Sequence, residues 1–171
     1  MTEQSIVELV RGLGDKVVFV EVGVHRGTTL VYVAEHCDNV AAVIGIDFYQ
    51  PYKDYLFSPY SVGGALASMN KLITEEKINA SSQKSRIQLV VKDCVDAAED
   101  YVDLSLDCVF LDAYMNEAQV VLHTEAWLPK IKTGGVLCGH DFESFAVKSG
   151  LEKMQLSHSS PYHDIWVHTK S

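Results

Sequence analysis

Five short runs of apolar, largely β-branched residues constrain this chain more than any other feature: VVFVEV at 17–22, AAVIGI at 41–46, IQLVV at 87–91, LDCVFL at 106–111 and GVLCG at 135–139. Runs of this length and composition read as strands buried on both faces. Helix-length stretches separate them, at 28–37, about 61–78, 94–102 and 117–128. Strands that alternate with helices favour a parallel sheet, because each parallel connection must cross over and its helix covers a face of the sheet. The predicted fold class is therefore α/β, a doubly wound three-layer αβα sandwich with a mostly parallel sheet.

Element boundaries support this assignment. Ile6, Val7, Leu9, Val10 and Leu13 predict an opening helix over 3–12. Asn116 and Gln119 form a predicted capping box ahead of Val120, Val121 and Leu122, and Pro129 with Gly134–Gly135 is read as the helix end and turn before the fifth strand. DIWVHT at 164–169 predicts a closing strand. The length of 171 residues suits one domain spanning 1–171, with no repeat or linker. One segment does not conform: FYQPYKDYLFSPYSV, after Asp47, carries Tyr49, Tyr52, Tyr55, Phe57 and Tyr60 with two prolines and reads as a lid or an interface. An interface there would make the protein a homo-oligomer.

Charge and cysteine usage narrow the partners. A formal net charge of −9 opposes a phosphate backbone, so no nucleic-acid partner is expected and a small molecule fits better. Cys37, Cys94, Cys108 and Cys138 include no CxxC pair and read as reduced, mostly core thiols. The first residues lack the basic start and apolar stretch of a signal peptide, and no run reaches membrane-spanning length, so the expected setting is the cytoplasm, with no membrane partner.

The chemistry is concentrated at strand ends. The first run closes as Glu21-Val-Gly23-Val-His-Arg-Gly27-Thr-Thr, a strand entering a glycine turn that opens a helix, which is where doubly wound sheets bind nucleotides. A dinucleotide fingerprint needs three glycines; here Gly23 and Gly27 stand behind an acid, which suits a cationic amino-acid group better than a pyrophosphate. Glu21 is costly within an apolar strand unless a cation or ordered water pairs with it. Asp47 ends the second run, where a carboxylate accepts ribose hydroxyls, and Asp93 follows the third, where it can accept from an adenine amino group.

Taken in order, EVGVHRGTT, IGIDFY, VVKDC, VFLDA and GGVLCGHDF resemble class I S-adenosylmethionine-dependent methyltransferases over about residues 16–142, and are most similar to the type 24 branch that includes macrocin O-methyltransferase and cephalosporin hydroxylase-like proteins. The resemblance implies a Rossmann-like methyltransferase fold with S-adenosylmethionine as cofactor, Glu21 and Gly23 near its methionine part, Gly27 in the cofactor-binding turn, Asp47 near the ribose, Asp93 near the adenine and Asp112 beside the sulfonium. It further implies that Asp112 and Asp141 converge at the ends of neighbouring strands, where they could hold magnesium and lower the pKa of an acceptor hydroxyl. His140 offers a second route, as a direct general base. Both routes imply O-methylation of a small hydroxylated molecule, a sugar or polyol. The competing readings are an NAD(P)-binding oxidoreductase, which would also use Asp47, and a cofactor-binding domain without catalysis, suggested by the short chain after Asp141.

Overall fold

The computed structural model describes residues 2–50, 64–114 and 116–171. Its elements run in the order α1 (Thr2–Arg11), β1 (Val17–Val22), α2 (Thr28–His36), β2 (Val40–Asp47), α3 (Gly64–Ala80), β3 (Ile87–Val91), β4 (Leu106–Leu111), α4 (Glu117–Trp127), β5 (Ile131–Gly139), α5 (Phe145–Lys153), β6 (Ser159–Tyr162) and β7 (Ile165–Thr169). The seven strands form one sheet in the order β3-β2-β1-β4-β5-β7-β6. The first five are parallel, and β7 runs antiparallel to β5 and to β6.

Alternation along β1 shows how the layers form. Phe19 packs into a core with Ile6, Val10, Leu30 and Val33 from α1 and α2, whereas Val20 and Val22 pack on the opposite face with Trp127 of α4 and Val147 and Leu151 of α5. Successive side chains of a strand point to opposite faces, so a strand apolar at almost every position must be covered twice. The two layers of helices supply that cover, and the αβα sandwich follows.

The predicted capping box is present: the Asn116 side chain accepts the Gln119 N–H at 3.0 Å and the Gln119 side chain accepts the Asn116 N–H at 3.4 Å. Four details depart from the sequence reading. The fifth strand begins at Ile131, before the glycine pair, and Gly134 (φ 80°) lies in a bulge where the pairing jumps from Leu106–Ile131 to Cys108–Val136. A bulge and a turn carry the same glycine signature. β3 is an edge strand, with residues exposed or half-buried rather than covered on both faces. The helix expected over 94–102 is a short 3-10 turn at Asp96–Asp100, preceded by Asp93, whose carboxylate accepts the N–H groups of Val95 (2.9 Å) and Asp96 (3.3 Å). The chain after Asp141 builds α5 and β6 in addition to the expected closing strand.

Tyr52, Tyr55, Phe57 and Tyr60 of the aromatic segment lie outside the described residues. All four cysteines are free and buried. No helix among the described residues is long and apolar enough to cross a membrane.

Candidate functional site

Parallel pairing continues one step past each strand and thereby aligns the candidate residues. Lys92 N–H donates to the Asp47 carbonyl (3.3 Å), Gly23 N–H to Ile46 (2.8 Å), Asp112 N–H to Val22 (2.8 Å) and His140 N–H to Leu111 (3.1 Å). The carboxyl ends of β3, β2, β1, β4 and β5 are laced side by side, so the residues that follow them share one edge of the sheet. Ligands of open α/β sheets bind at this edge.

A cleft of about 340 Å³ opens here, lined by Glu3, Glu21, Gly23, His25, Thr29 and Asp112 among others, within the size range of small-molecule pockets. Glu21 is 2 % exposed, and its Oε2 has no hydrogen-bond partner among the described residues. Burial raises its pKa well above the ordinary 4.5, and the charges of Asp112 and Asp47 push the same way, while a hydrogen bond from the Leu30 backbone opposes them. An orphaned buried carboxyl oxygen on a cleft with further acids fits a cationic ligand group that would complete it.

Gly23 (φ 94°) has a second function besides ligand approach. A Cβ there would lie 2.4 Å from the Ala113 nitrogen, so the chain leaving β4 crosses directly over the glycine. Gly27 (φ 70°) caps α2 and faces Thr74. The turn between the two glycines is braced by α3: Tyr49 OH donates to Thr74 Oγ1 at 3.0 Å, Thr74 Oγ1 donates to the His25 carbonyl at 3.0 Å, and Arg26 Nε donates to Asn70 Oδ1 at 3.0 Å.

Gly27, Asp47, Asp93, His140 and Asp141 do not line this cleft. Asp47 stands behind it, with Oδ2 accepting the His25 N–H and Oδ1 the Tyr49 N–H, both at 2.8 Å. Each oxygen retains a lone pair, so the carboxylate holds its own loops and remains able to accept from a ligand. Asp93 is turned to the backbone of its own loop.

Beyond Asp112, the edge carries a group centred on His140. Its Nδ1 lies 3.2 Å from Asp112 Oδ1 and 3.3 Å from Asp141 Oδ1, and its Nε2 lies 3.2 Å from Thr2 Oγ1 and 3.7 Å from Asp164 Oδ2. The bond to Asp112 raises the His140 pKa, against burial, which lowers it. Burial in turn raises the pKa of Asp112, with the His140 bond opposing. Asp112 and Asp141 thus both contact the same ring nitrogen of His140. His140, Asp141 and Asp164 place one donor atom each within 4.8 Å of one another. That set of one ring nitrogen and two carboxylates is unsuited to magnesium, which takes oxygen ligands.

Glu3, Thr2, His25 and Asp164 were not singled out from the sequence. Glu3 and Thr2 open α1, where an acid and a threonine read as ordinary helix-start residues. Asp164 is the first residue of the predicted closing strand at 164–169, whereas the structure begins β7 at Ile165 and leaves Asp164 in the turn before it.

A family model described as a methyltransferase domain matches residues 20–142, which span β1 to the turn after β5. Among solved structures, a methyltransferase from Geobacter sulfurreducens is similar at TM-score 0.69 and 15 % identity, covering 99 % of this chain and 78 % of its own. A protein from Corynebacterium glutamicum is similar at TM-score 0.65 and 15 % identity, covering 100 % and 81 %. An O-methyltransferase family protein from Burkholderia thailandensis is similar at TM-score 0.64 and 14 % identity, covering 99 % of this chain and 56 % of its own. Among curated proteins, no sequence matches. These likenesses establish the fold, and the family match over most of the sheet establishes the rest: the chain belongs to the type 24 methyltransferase-domain family, a branch of the class I S-adenosylmethionine-dependent methyltransferases.

Proposed function

We propose that this methyltransferase acts on a hydroxyl oxygen of a small molecule, with His140 as the general base. The observation that carries this reading is the pair of contacts across the ring: the carboxylates of Asp112 and Asp141 on Nδ1, and the hydroxyl of Thr2 on Nε2. A carboxylate that accepts the Nδ1 proton fixes the tautomer and leaves the Nε2 lone pair for a hydroxyl proton. Thr2 Oγ1 already makes with Nε2 the contact that an acceptor hydroxyl would make.

S-adenosylmethionine supplies the activated methyl group. Glu21 would accept from the amino group of its methionine part, through the oxygen that lacks a partner among the described residues. Gly23 and Gly27 shape the turn over which that part would lie, Asp47 would accept from the ribose and Asp93 from the adenine. Asp112 stands at the cleft wall, where it would lie beside the sulfonium. Little covalent chemistry is asked of the chain, and holding the two reactants in line supplies most of the acceleration. With an imidazole between Asp112 and Asp141, acceptor activation needs no magnesium.

The acids around the cleft disfavour phosphorylated acceptors and nucleic acid and suit an uncharged hydroxylated molecule such as a sugar or polyol. The four free buried cysteines fit a reducing compartment such as the cytoplasm. The test is transfer of labelled methyl from S-adenosylmethionine to a panel of sugars, polyols and phenols, with the product's methylated atom identified by mass spectrometry and NMR. His140→Gln is expected to lower the rate by about 10²–10⁴-fold, the usual contribution of a general base, with cofactor affinity unchanged. Methylation of nitrogen or of RNA, or full activity in His140→Gln, would contradict the proposal.

A further inference from the structure

We infer that Asp164 is a positioning residue, holding the turn after β5 in the shape that presents His140 and Asp141 to the site. This inference rests on the reading of His140 and Asp141 given above. Because β7 runs antiparallel to β5, with Gly139 opposite Trp166, the turn between β6 and β7 lies beyond the carboxyl end of β5. The closing hairpin thereby delivers a carboxylate to the far side of the imidazole from Asp112.

Two bonds tie Asp164 to the turn. Its Oδ1 accepts the Glu143 N–H at 2.8 Å, and its carbonyl accepts the Phe142 N–H at 3.2 Å. Between these anchors and the end of β5, Asp141 takes a left-handed backbone conformation (φ 57°), uncommon for a residue with a side chain. Its carbonyl accepts the Ser144 N–H at 2.8 Å, which closes the turn into α5. A strained residue of this kind persists where its surroundings over-determine it, and the two Asp164 bonds do so immediately after Asp141. The other oxygen, Oδ2, lies 3.7 Å from Nε2 of His140, so the side chain that anchors the backbone of the turn also borders the ring. Asp164 is itself left-handed (φ 59°), a conformation that Asn also tolerates.

The experiment compares the full-length protein with Asp164→Ala and Asp164→Asn. Three readouts are hydrogen exchange of the Glu143 amide, the ¹⁵N resonances of the His140 ring, and calorimetric affinity for S-adenosylhomocysteine. Asp164→Ala should speed Glu143 exchange by about tenfold or more, the effect of losing one hydrogen bond to a charged acceptor, and should shift the His140 resonances. Asp164→Asn keeps an acceptor oxygen and should restore most of the Glu143 protection. Affinity for S-adenosylhomocysteine should stay constant in both.

Unchanged Glu143 protection and unmoved His140 resonances in Asp164→Ala would overturn the inference. So would loss of Glu143 protection in Asp164→Asn, a test that stands even if the alanine variant fails to fold. These outcomes do not depend on the acceptor. If His140→Gln abolishes transfer while Asp164→Ala leaves the turn intact, the positioning role fails and the proposed function stands; an intact positioning result with full activity in His140→Gln gives the reverse.

Discussion

The carboxylate of Asp47 accepts the backbone N–H of His25 at 2.8 Å, tying the end of β2 to the glycine turn after β1. With the Tyr49 N–H on its other oxygen, the side chain that the sequence assigns to a ribose also holds together the two loops between which the ribose would lie. Asp47→Ala therefore removes two charge-assisted bonds as well as the proposed ligand contact. It should lower unfolding free energy by about 1.5–3 kcal/mol or more and weaken S-adenosylhomocysteine binding, whereas Asp47→Asn should recover part of the stability. Chemical denaturation and calorimetry on the same preparations check this, and a stability unchanged in Asp47→Ala would remove the loop-tying function.

Gly23→Ala tests the crossing of the chain over the first turn. The added Cβ would meet the Ala113 nitrogen at 2.4 Å, and φ is 94°, so neither the backbone angle nor the space permits it. The expected cost is about 2 kcal/mol or more, from combined overpacking and backbone strain, read as a lower thermal midpoint. Gly14→Ala, with nothing within 4 Å of the new Cβ, is the control and should leave the midpoint nearly unmoved.

Glu21 governs the pH dependence. Its folded pKa is raised above 4.5, first by burial and then by Asp112 and Asp47, so the unfolded chain releases this proton earlier as pH rises. Stability is therefore highest below about pH 4.5 with respect to this group, falls as pH rises above it, and levels once the folded carboxyl also ionises. Glu21→Gln should flatten that segment of the stability–pH curve. A cationic ligand group beside Glu21 favours the carboxylate, so binding should release a proton and tighten as pH rises through the folded pKa. Calorimetry across pH in buffers of different ionisation enthalpy measures the proton, and zero release at every pH would contradict the placement.

Chelator separates the two means of acceptor activation. With His140 Nδ1 in contact with both Asp112 and Asp141, activity should survive exhaustive treatment with EDTA and show no gain on adding magnesium. Collapse in chelator and rescue by magnesium would mean that the ring moves aside for an ion.

The sandwich was legible because its evidence is local: each apolar run and each helix-length interval is a contiguous stretch, and the Asn116–Gln119 box is a four-residue signal. The acids at strand ends were legible for the same reason, since parallel order turns sequence order into spatial order along one edge. What escaped was non-local or ambiguous. Gly134–Gly135 carries the signature of a turn but forms a bulge, because pairing with β4 is already under way at Ile131. Glu3 and Thr2 reach the site through the packing of α1, and Asp164 through an antiparallel hairpin. Asp47 was read only toward its ligand, because side-chain bonds to backbone across loops leave no periodic trace.

The account stands most directly on the placement of the methionine part against Glu21. A crystal structure of the protein with S-adenosylhomocysteine measures it. The account predicts the ligand's amino group within hydrogen-bonding distance of Glu21 Oε2, its sulfur beside Asp112, and the His140 ring facing the vacant methyl position. A nucleoside bound elsewhere, with Glu21 Oε2 still without a partner, would contradict it.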